Sequence, residues 1–257
     1  MANWNPTTYA RFEAERRRPV EDLIARLPPN AYRRIVDLGC GAGQSTTALA
    51  TRFPEAEVVG IDNSEAMLAS ARQRSPRLRF AFGDLATWSN GGADLVFSNA
   101  ALHWAPNHIA VMARLAAELP AGGVLAAQFP DNLAEPSHVL MRLIAARPEF
   151  AGAAPGDAAG RETIGRFADY VTALSPHCAH IDVWRTTYSH RLADAQAIVD
   201  WVEGAGLRPY LEPLSAPQRQ AYLALYLEGV AQAYPRQPWG GVLLEFPRLF
   251  VVAARQG

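Results

Sequence analysis

The sequence contains no lysine; all 24 of its basic residues are arginine. That absence excludes a Schiff-base lysine, a lysine general base and the lysine of a phosphate-binding P-loop. Any permanent positive charge in a site must therefore come from arginine. The chain is also rich in Ala, Gly and Pro, so the absence as a whole reads as compositional drift. Cysteine is scarce: Cys40 and Cys178 offer neither metal-ligand spacing nor a disulfide framework. No apolar run approaches the roughly 18 residues that suggest a membrane span. Residues 1–18 lack the basic start and apolar stretch of a secretory signal. A basic surplus is missing too, and a net charge of -1 argues against a general nucleic-acid binder while leaving room for a local basic pocket. These absences lead to the expectation of a soluble cytoplasmic protein. A chain of 257 residues can bury a full core as one large domain or a domain with an elaboration.

What is present begins with alternation. Short apolar runs at 34–38, 57–62, 78–82, 94–98 and 124–129 read as strands. Helical patterns fall between them at 44–52, 65–74 and 107–119, with Ser64 placed as an N-cap. Such alternation implies right-handed crossovers and a mainly parallel sheet. After Pro130 the pattern changes. Helices are expected at 138–146, 163–174, 195–203 and 217–234, with a loop at 148–160 and strand-like residues at 179–191 and 242–254. The reading is a nucleotide-type α/β core with helical additions late in the chain.

The strongest motif is Val36-Asp37-Leu38-Gly39-Cys40-Gly41-Ala42-Gly43-Gln44-Ser45, at the handover from the first strand to the first helix. Glycines there permit positive φ and let a ligand approach the backbone. Asp62 ends the second strand 19 residues after Gly43, where an acid can accept both hydroxyls of a ribose. Asp84 closes the third strand and can accept from an adenine amino group. The spacing is G-x-G-x-G, not the G-x-G-x-x-G of a dinucleotide site. A tight turn with no ligand is the alternative reading of the loop.

These residues resemble class I S-adenosylmethionine-dependent methyltransferases over about residues 34–130. The resemblance implies a Rossmann-like α/β sheet, mainly parallel with an antiparallel last strand, and helical insertions forming a substrate cap. It divides the chain into an N-terminal helical lid at 1–30, a cofactor-binding core at 31–130 and, at 131–257, the rest of the sheet with the cap. It implies S-adenosylmethionine as cofactor and S-adenosylhomocysteine as product. Asp37, Gly39, Gly41 and Gly43 would cradle the methionine part, with Cys40 giving backbone and Ser45 beside them. Asp62 would bind ribose and Asp84 adenine, with Asn63, Met67 and Leu85 lining the adenosine pocket. Asn99, ending the fourth strand, would bind the cofactor and, with Trp104, position the transfer. Trp4 and Tyr9 would close over the cofactor, or simply staple the N-terminal segment to the core.

A narrower resemblance, to those family members that esterify trans-aconitate, runs nearly full length. It is carried by 4–6 with Tyr9 and Phe12, by 15–19, 98–104, 129–132, 135–141, 182–188, 201–202, 206–210 and 246–250. It implies methyl transfer to one carboxylate of a small tricarboxylate, with neither nucleic acid nor membrane as partner. An ionised acceptor needs no general base, and planar carboxylates suit arginine's fork. Arg208 beside Tyr210 heads the candidates, followed by Arg185 and Arg248. Asn132, His138 and Tyr188 complete the candidate acceptor set. Each arginine is otherwise a solvated charge or structural ion pair, and each of the others a cap, turn or core residue. His103 stands where the family often has glutamine and receives no role. Two other readings stay open: a methyltransferase for another small acid or an oxygen or nitrogen nucleophile, and a nucleotide-binding protein without this chemistry, including a nicotinamide oxidoreductase.

Overall fold

A computed structural model describes residues 13–150, 163–203 and 206–257. Along the chain come α1 (Glu13–Ala25), β1 (Arg34–Leu38), α2 (Gln44–Arg52), β2 (Glu57–Asp62), α3 (Glu65–Arg74), β3 (Arg79–Phe82) and β4 (Leu95–Asn99). Then follow a 3-10 turn at Leu102–Trp104, α4 (His108–Ala117), β5 (Val124–Pro130), α5 (Pro136–Ala145) and a second turn at Pro148–Phe150. The remainder is α6 (Phe167–Leu174), β6 (His180–Leu192), α7 (Ala195–Glu203), α8 (Arg208–Leu211), α9 (Ala216–Ala233) and β7 (Val242–Ala254). Among the described residues no helix is long and apolar enough to cross a membrane.

The seven strands form one sheet in the order β3-β2-β1-β4-β5-β7-β6. β1 pairs in parallel with β2 and β4, and β4 with β5, while β7 runs antiparallel to β5. A central parallel strand is covered on both faces, so β1 and β4 bury four of their five residues each, apolar and polar alike. The chain order reverses between β1 and β4. In open sheets of this kind ligands bind outside the carboxyl ends of the strands at that reversal.

The described residues divide into two compact units. The first holds 16–130, 163–186 and 248–257; the second holds 13–15, 131–150, 187–203 and 206–247. Strands β6 and β7 contribute residues to both. The first unit has its own apolar core, with Leu38, Val96, Leu115, Leu125, Phe129 and Val251 at its centre. Ser64 caps α3 as expected, its hydroxyl accepting from the Met67 N–H at 3.4 Å. Helix α6 begins four residues later than its apolar pattern suggests, at Phe167 rather than Thr163. The Asp169 carboxylate reaches back to the Arg166 N–H at 2.7 Å and fixes the start there.

The second unit packs α9 against α5 around a separate core that includes Met141, Trp201, Tyr222, Tyr226 and Leu244. Tyr222, Tyr226, Val230 and Tyr234 recur every fourth residue, so one helical face is buried. The hydroxyls of Tyr222 and Tyr226 donate to the carbonyls of Met141 and Ser137 at 2.7 and 2.9 Å. That of Tyr234 accepts the Ser137 N–H at 3.1 Å, satisfying one of the amides that a helix start leaves open. Gly229 permits the approach: a Cβ there would stand 2.8 Å from the Leu140 side chain. Burial pushes the Tyr222 and Tyr226 phenols well above the usual range. The short helix α8 was not expected; it places Arg208 one turn before Glu212.

Candidate active site

The glycine loop leaves β1 with Gly39, Gly41 and Gly43 at φ of +80°, +53° and +83°. The three are needed for different reasons. A Cβ at Gly39 would collide with the Ala101 side chain and reach 3.3 Å from Leu85, so the loop lies directly against the segment after β4. At Gly43 it would stand 3.1 Å from both Ala71 and Phe80. At Gly41 it would meet nothing within 4 Å, so only the left-handed backbone demands glycine there, and that face of the loop stays open. The Gly39 and Cys40 N–H groups donate to the Ile61 carbonyl at 2.7 and 2.9 Å, tying the loop to the end of β2.

Asp62 accepts the Gly41 N–H through Oδ2 at 2.8 Å and the Ser64 N–H through Oδ1 at 2.9 Å. Both oxygens are thus pinned, yet the residue is only half-buried and each oxygen keeps a lone pair to offer. Asp84 is exposed and accepts the Ala86 N–H at 2.8 Å, with the Asn63 amide 3.4 Å from its other oxygen. Met67 and Leu85 are half-buried beside these acids in sequence.

Asp37 is fully buried and accepts the hydroxyls of Ser45 and Thr46 on Oδ2 at 2.7 and 2.6 Å. Its Oδ1 has no hydrogen-bond partner among the described residues. Burial pushes its carboxyl up to about 6 against the pull of those two hydroxyls, and the Asp62 charge adds to the rise. Ser45, expected at the cofactor, spends its hydroxyl on Asp37. The Cys40 thiol is pushed far up by burial and then by the charges of Asp37 and Asp62, so it stays protonated.

The carboxyl ends of β4 and β5 supply the neighbouring wall. Ser98 is buried and donates to the Leu38 carbonyl at 2.8 Å, joining β4 to β1. Asn99 follows, in register with Gln128, whose amide donates to the Asn99 carbonyl oxygen. Arg248, 7% exposed at the start of the first unit's share of β7, donates to Gln128 Oε1 at 3.0 Å. Ala100 holds φ +54°, a left-handed conformation that costs an L-residue about 1–2 kcal/mol and that tends to gather at functional sites. Trp104 projects from the 3-10 turn with 45% of its surface exposed, and His103 packs beneath it against Phe129. Gln128 and Ala100 were missed by sequence reasoning. Gln128 had a usable signal, as the one polar residue in the apolar run Val124–Phe129; Ala100 had none.

The remaining candidates divide between the units. Arg185, in the first, is exposed and lies over the Phe167 ring at 5.7 Å. Asn132, His138, Tyr188, Arg208 and Tyr210 lie in the second. There Arg208 is engaged by Glu212 at 2.7 Å, His138 by the Ser137 hydroxyl at 3.2 Å, and Asn132, Tyr188 and Tyr210 are buried. Trp4 and Tyr9 lie outside the described residues.

Residues 35–123 match the family model described as a methyltransferase domain. Over nearly their whole lengths, relatives share about half of this sequence. The trans-aconitate 2-methyltransferase of Methylobacterium radiotolerans is 53% identical, with 99% of each chain covered. That of Variovorax paradoxus is 49% identical, with 100% of each covered. In fold, the chain is similar to the YcgJ protein of Bacillus subtilis, with a TM-score of 0.59 at 14% identity over 93% of this chain and 99% of that one. With identity of that order across both full lengths, the chain belongs to the trans-aconitate 2-methyltransferase family.

Proposed function

We propose that the protein transfers a methyl group from S-adenosylmethionine to one carboxylate of trans-aconitate, giving a monomethyl ester and S-adenosylhomocysteine. The observation that carries this is the full-length identity to relatives bearing that activity in their name. The glycine loop fits the cofactor's demands. Gly41 offers an open backbone face, Asp62 a pinned carboxylate for the ribose hydroxyls, and Asp84 with Asn63 an acceptor and a donor for adenine. Asp37 Oδ1 is a buried acceptor suited to a cationic methionine head. When bound, S-adenosylmethionine supplies a methyl on a sulfonium, which an acceptor oxygen takes with its own lone pair while the carbon–sulfur pair stays on sulfur.

The chain's residues then have little proton chemistry to do. A carboxylate with a pKa near 4 is already ionised at neutral pH. The work is alignment and exclusion of water, which Asp62, Asn99 and the loop perform by being held in place beforehand. The protonated Cys40 thiol matters here as well, since a thiolate in the loop would compete for the methyl. For the acceptor, Arg248 is a buried donor in the same unit as Asn99, with Arg185 on β6 as a second cation. Arg208, Tyr210, Tyr188, Asn132 and His138 are assigned to the acceptor as the chemistry of their side chains suggests.

Incubation with methyl-labelled cofactor and trans-aconitate, against a panel of di- and tricarboxylates, tests the reading. A base-labile labelled ester formed preferentially from trans-aconitate is expected; its absence overturns the assignment. In the same assay Arg208→Lys is expected to raise the acceptor KM about ten-fold by losing the planar fork, and an unchanged KM removes Arg208 from the site.

A further inference from the structure

We propose that Gln128 is a positioning residue that fixes which end of the Asn99 amide faces outward, and thereby selects a carboxylate as acceptor. This rests on the carboxylate-methylation reading above. The argument starts from Arg248, whose guanidinium has donors and no acceptor. Gln128 lies beside it, 1% exposed, so the glutamine must turn its carbonyl toward the arginine, as the 3.0 Å bond shows. Its NH2 then points the other way and donates to Asn99 Oδ1. With its carbonyl turned toward Gln128, Asn99 directs its own NH2, two donors, the other way. That group has no partner among the described residues, and Asn99 itself is half-buried at the carboxyl end of β4.

The three side chains thus form a directional chain. Turning the Gln128 amide around would set donor against donor at Arg248, a buried fault, and would leave the Asn99 carbonyl without its donor unless Asn99 turned as well. The backbone keeps the partners together: Asn99 and Gln128 are register partners in β4 and β5, and the Ala100 N–H donates to the Gln128 carbonyl at 2.8 Å. An outward NH2 suits a carboxylate, which accepts only. Bound to the oxygen that does not react, it orients the carboxylate and leaves a lone pair on the other oxygen free for the methyl. A nitrogen or hydroxyl acceptor carries its own proton and would be served by the opposite orientation, with the Asn99 carbonyl outward.

The variants Q128E, N99A, N99D and Q128E/N99A separate this role from a structural one. A glutamate at 128 accepts from Arg248 as before but cannot donate, so Asn99 turns its NH2 inward. For Q128E, kcat/KM with trans-aconitate is expected to fall about ten-fold or more, while the cofactor Kd by calorimetry stays at the wild-type value. For N99A the loss is expected to be similar, and Q128E/N99A should be no worse than N99A, because Gln128 acts through Asn99. Fully additive losses, or a wild-type kcat/KM in N99A, overturn the proposal. N99D decides independently of whether Q128E folds: an aspartate presents only acceptors outward, so it must lose at least as much as N99A, and wild-type turnover would overturn the proposal. A wild-type enzyme that makes no ester from trans-aconitate overturns the reading of the reaction instead, whereas an active wild type with insensitive variants overturns only the role of Gln128.

Discussion

In the first unit, Asp37, Ser98 and Gln128 are buried polar side chains near the carboxyl ends of β1, β4 and β5, and Asp37 retains an oxygen without a partner among the described residues. In the second, the hydroxyls of Tyr222, Tyr226 and Tyr234 are bonded to the backbone of α5. Both units take polar groups out of water, which costs free energy unless the bonds are replaced. The phenols find those replacements within the protein and stabilise it. Asp37 does so only in part, which raises its pKa and makes it a net cost to the fold when ionised. The phenols hold two helices together, whereas Asp37 keeps an acceptor oxygen without a partner among the described residues.

Gly39→Ala should break the first unit most severely. The new Cβ would meet Ala101 at a backbone φ of +80°. Left-handed strain and overpacking together should cost about 2–5 kcal/mol, read as a lowered midpoint in urea, with cofactor binding lost as the loop moves. A variant that keeps wild-type stability and cofactor affinity would show that the loop is not pressed against the segment after β4.

Asp37→Asn sharpens the comparison because its sign is unusual. The carboxyl is raised from 3.8 to about 6 by burial. Between those values the native state holds a proton that the unfolded chain has released, so the stability from this group is fully present below about pH 4 and lost as pH rises through about 6. A rise of that size corresponds to about 3 kcal/mol. Asparagine cannot ionise and keeps an oxygen for Ser45 and Thr46, so relative to wild type the variant should become more stable by that amount as pH is raised from 4 to 7. Parallel stability profiles over that range would show that Asp37 is not a cost to the fold.

The first unit was more legible in the sequence than the second, for the same physical reason. A parallel core encodes each strand as a short apolar run and the loop as glycines that nothing else can replace, so Gly39, Gly41, Gly43, Asp62 and Asp84 stand in the chain where the structure brings them together. Gln128 and Arg248 lie 120 residues apart and meet only through the antiparallel pairing of β5 and β7, which no local pattern announces. In the second unit a helix at 217–234 was expected, but its partner was not: Tyr226 reaches a carbonyl 89 residues away. The turn of α8 that sets Arg208 beside Glu212 leaves only a weak trace in Leu207-Arg208-Pro209-Tyr210.

Tyr226→Phe applies the same operation, removal of one buried polar group, to the second unit and should give the opposite sign with a smaller size. The hydroxyl is fully buried and donates to the Ser137 carbonyl at 2.9 Å. Phenylalanine fills the same ring volume, so packing is retained and only the bond is lost, at a cost of about 1–2 kcal/mol. The phenol's pKa is raised by burial and the group is neutral throughout the working range, so the loss should be the same at pH 5 and pH 8. Cofactor affinity should not change, since the loop and its acids belong to the other unit. A urea titration at both pH values beside a calorimetric Kd reads all three expectations. Were the variant as stable as wild type, the hydroxyl ties between α9 and α5 would carry no stability, and the contrast between the two units would rest on Asp37 alone.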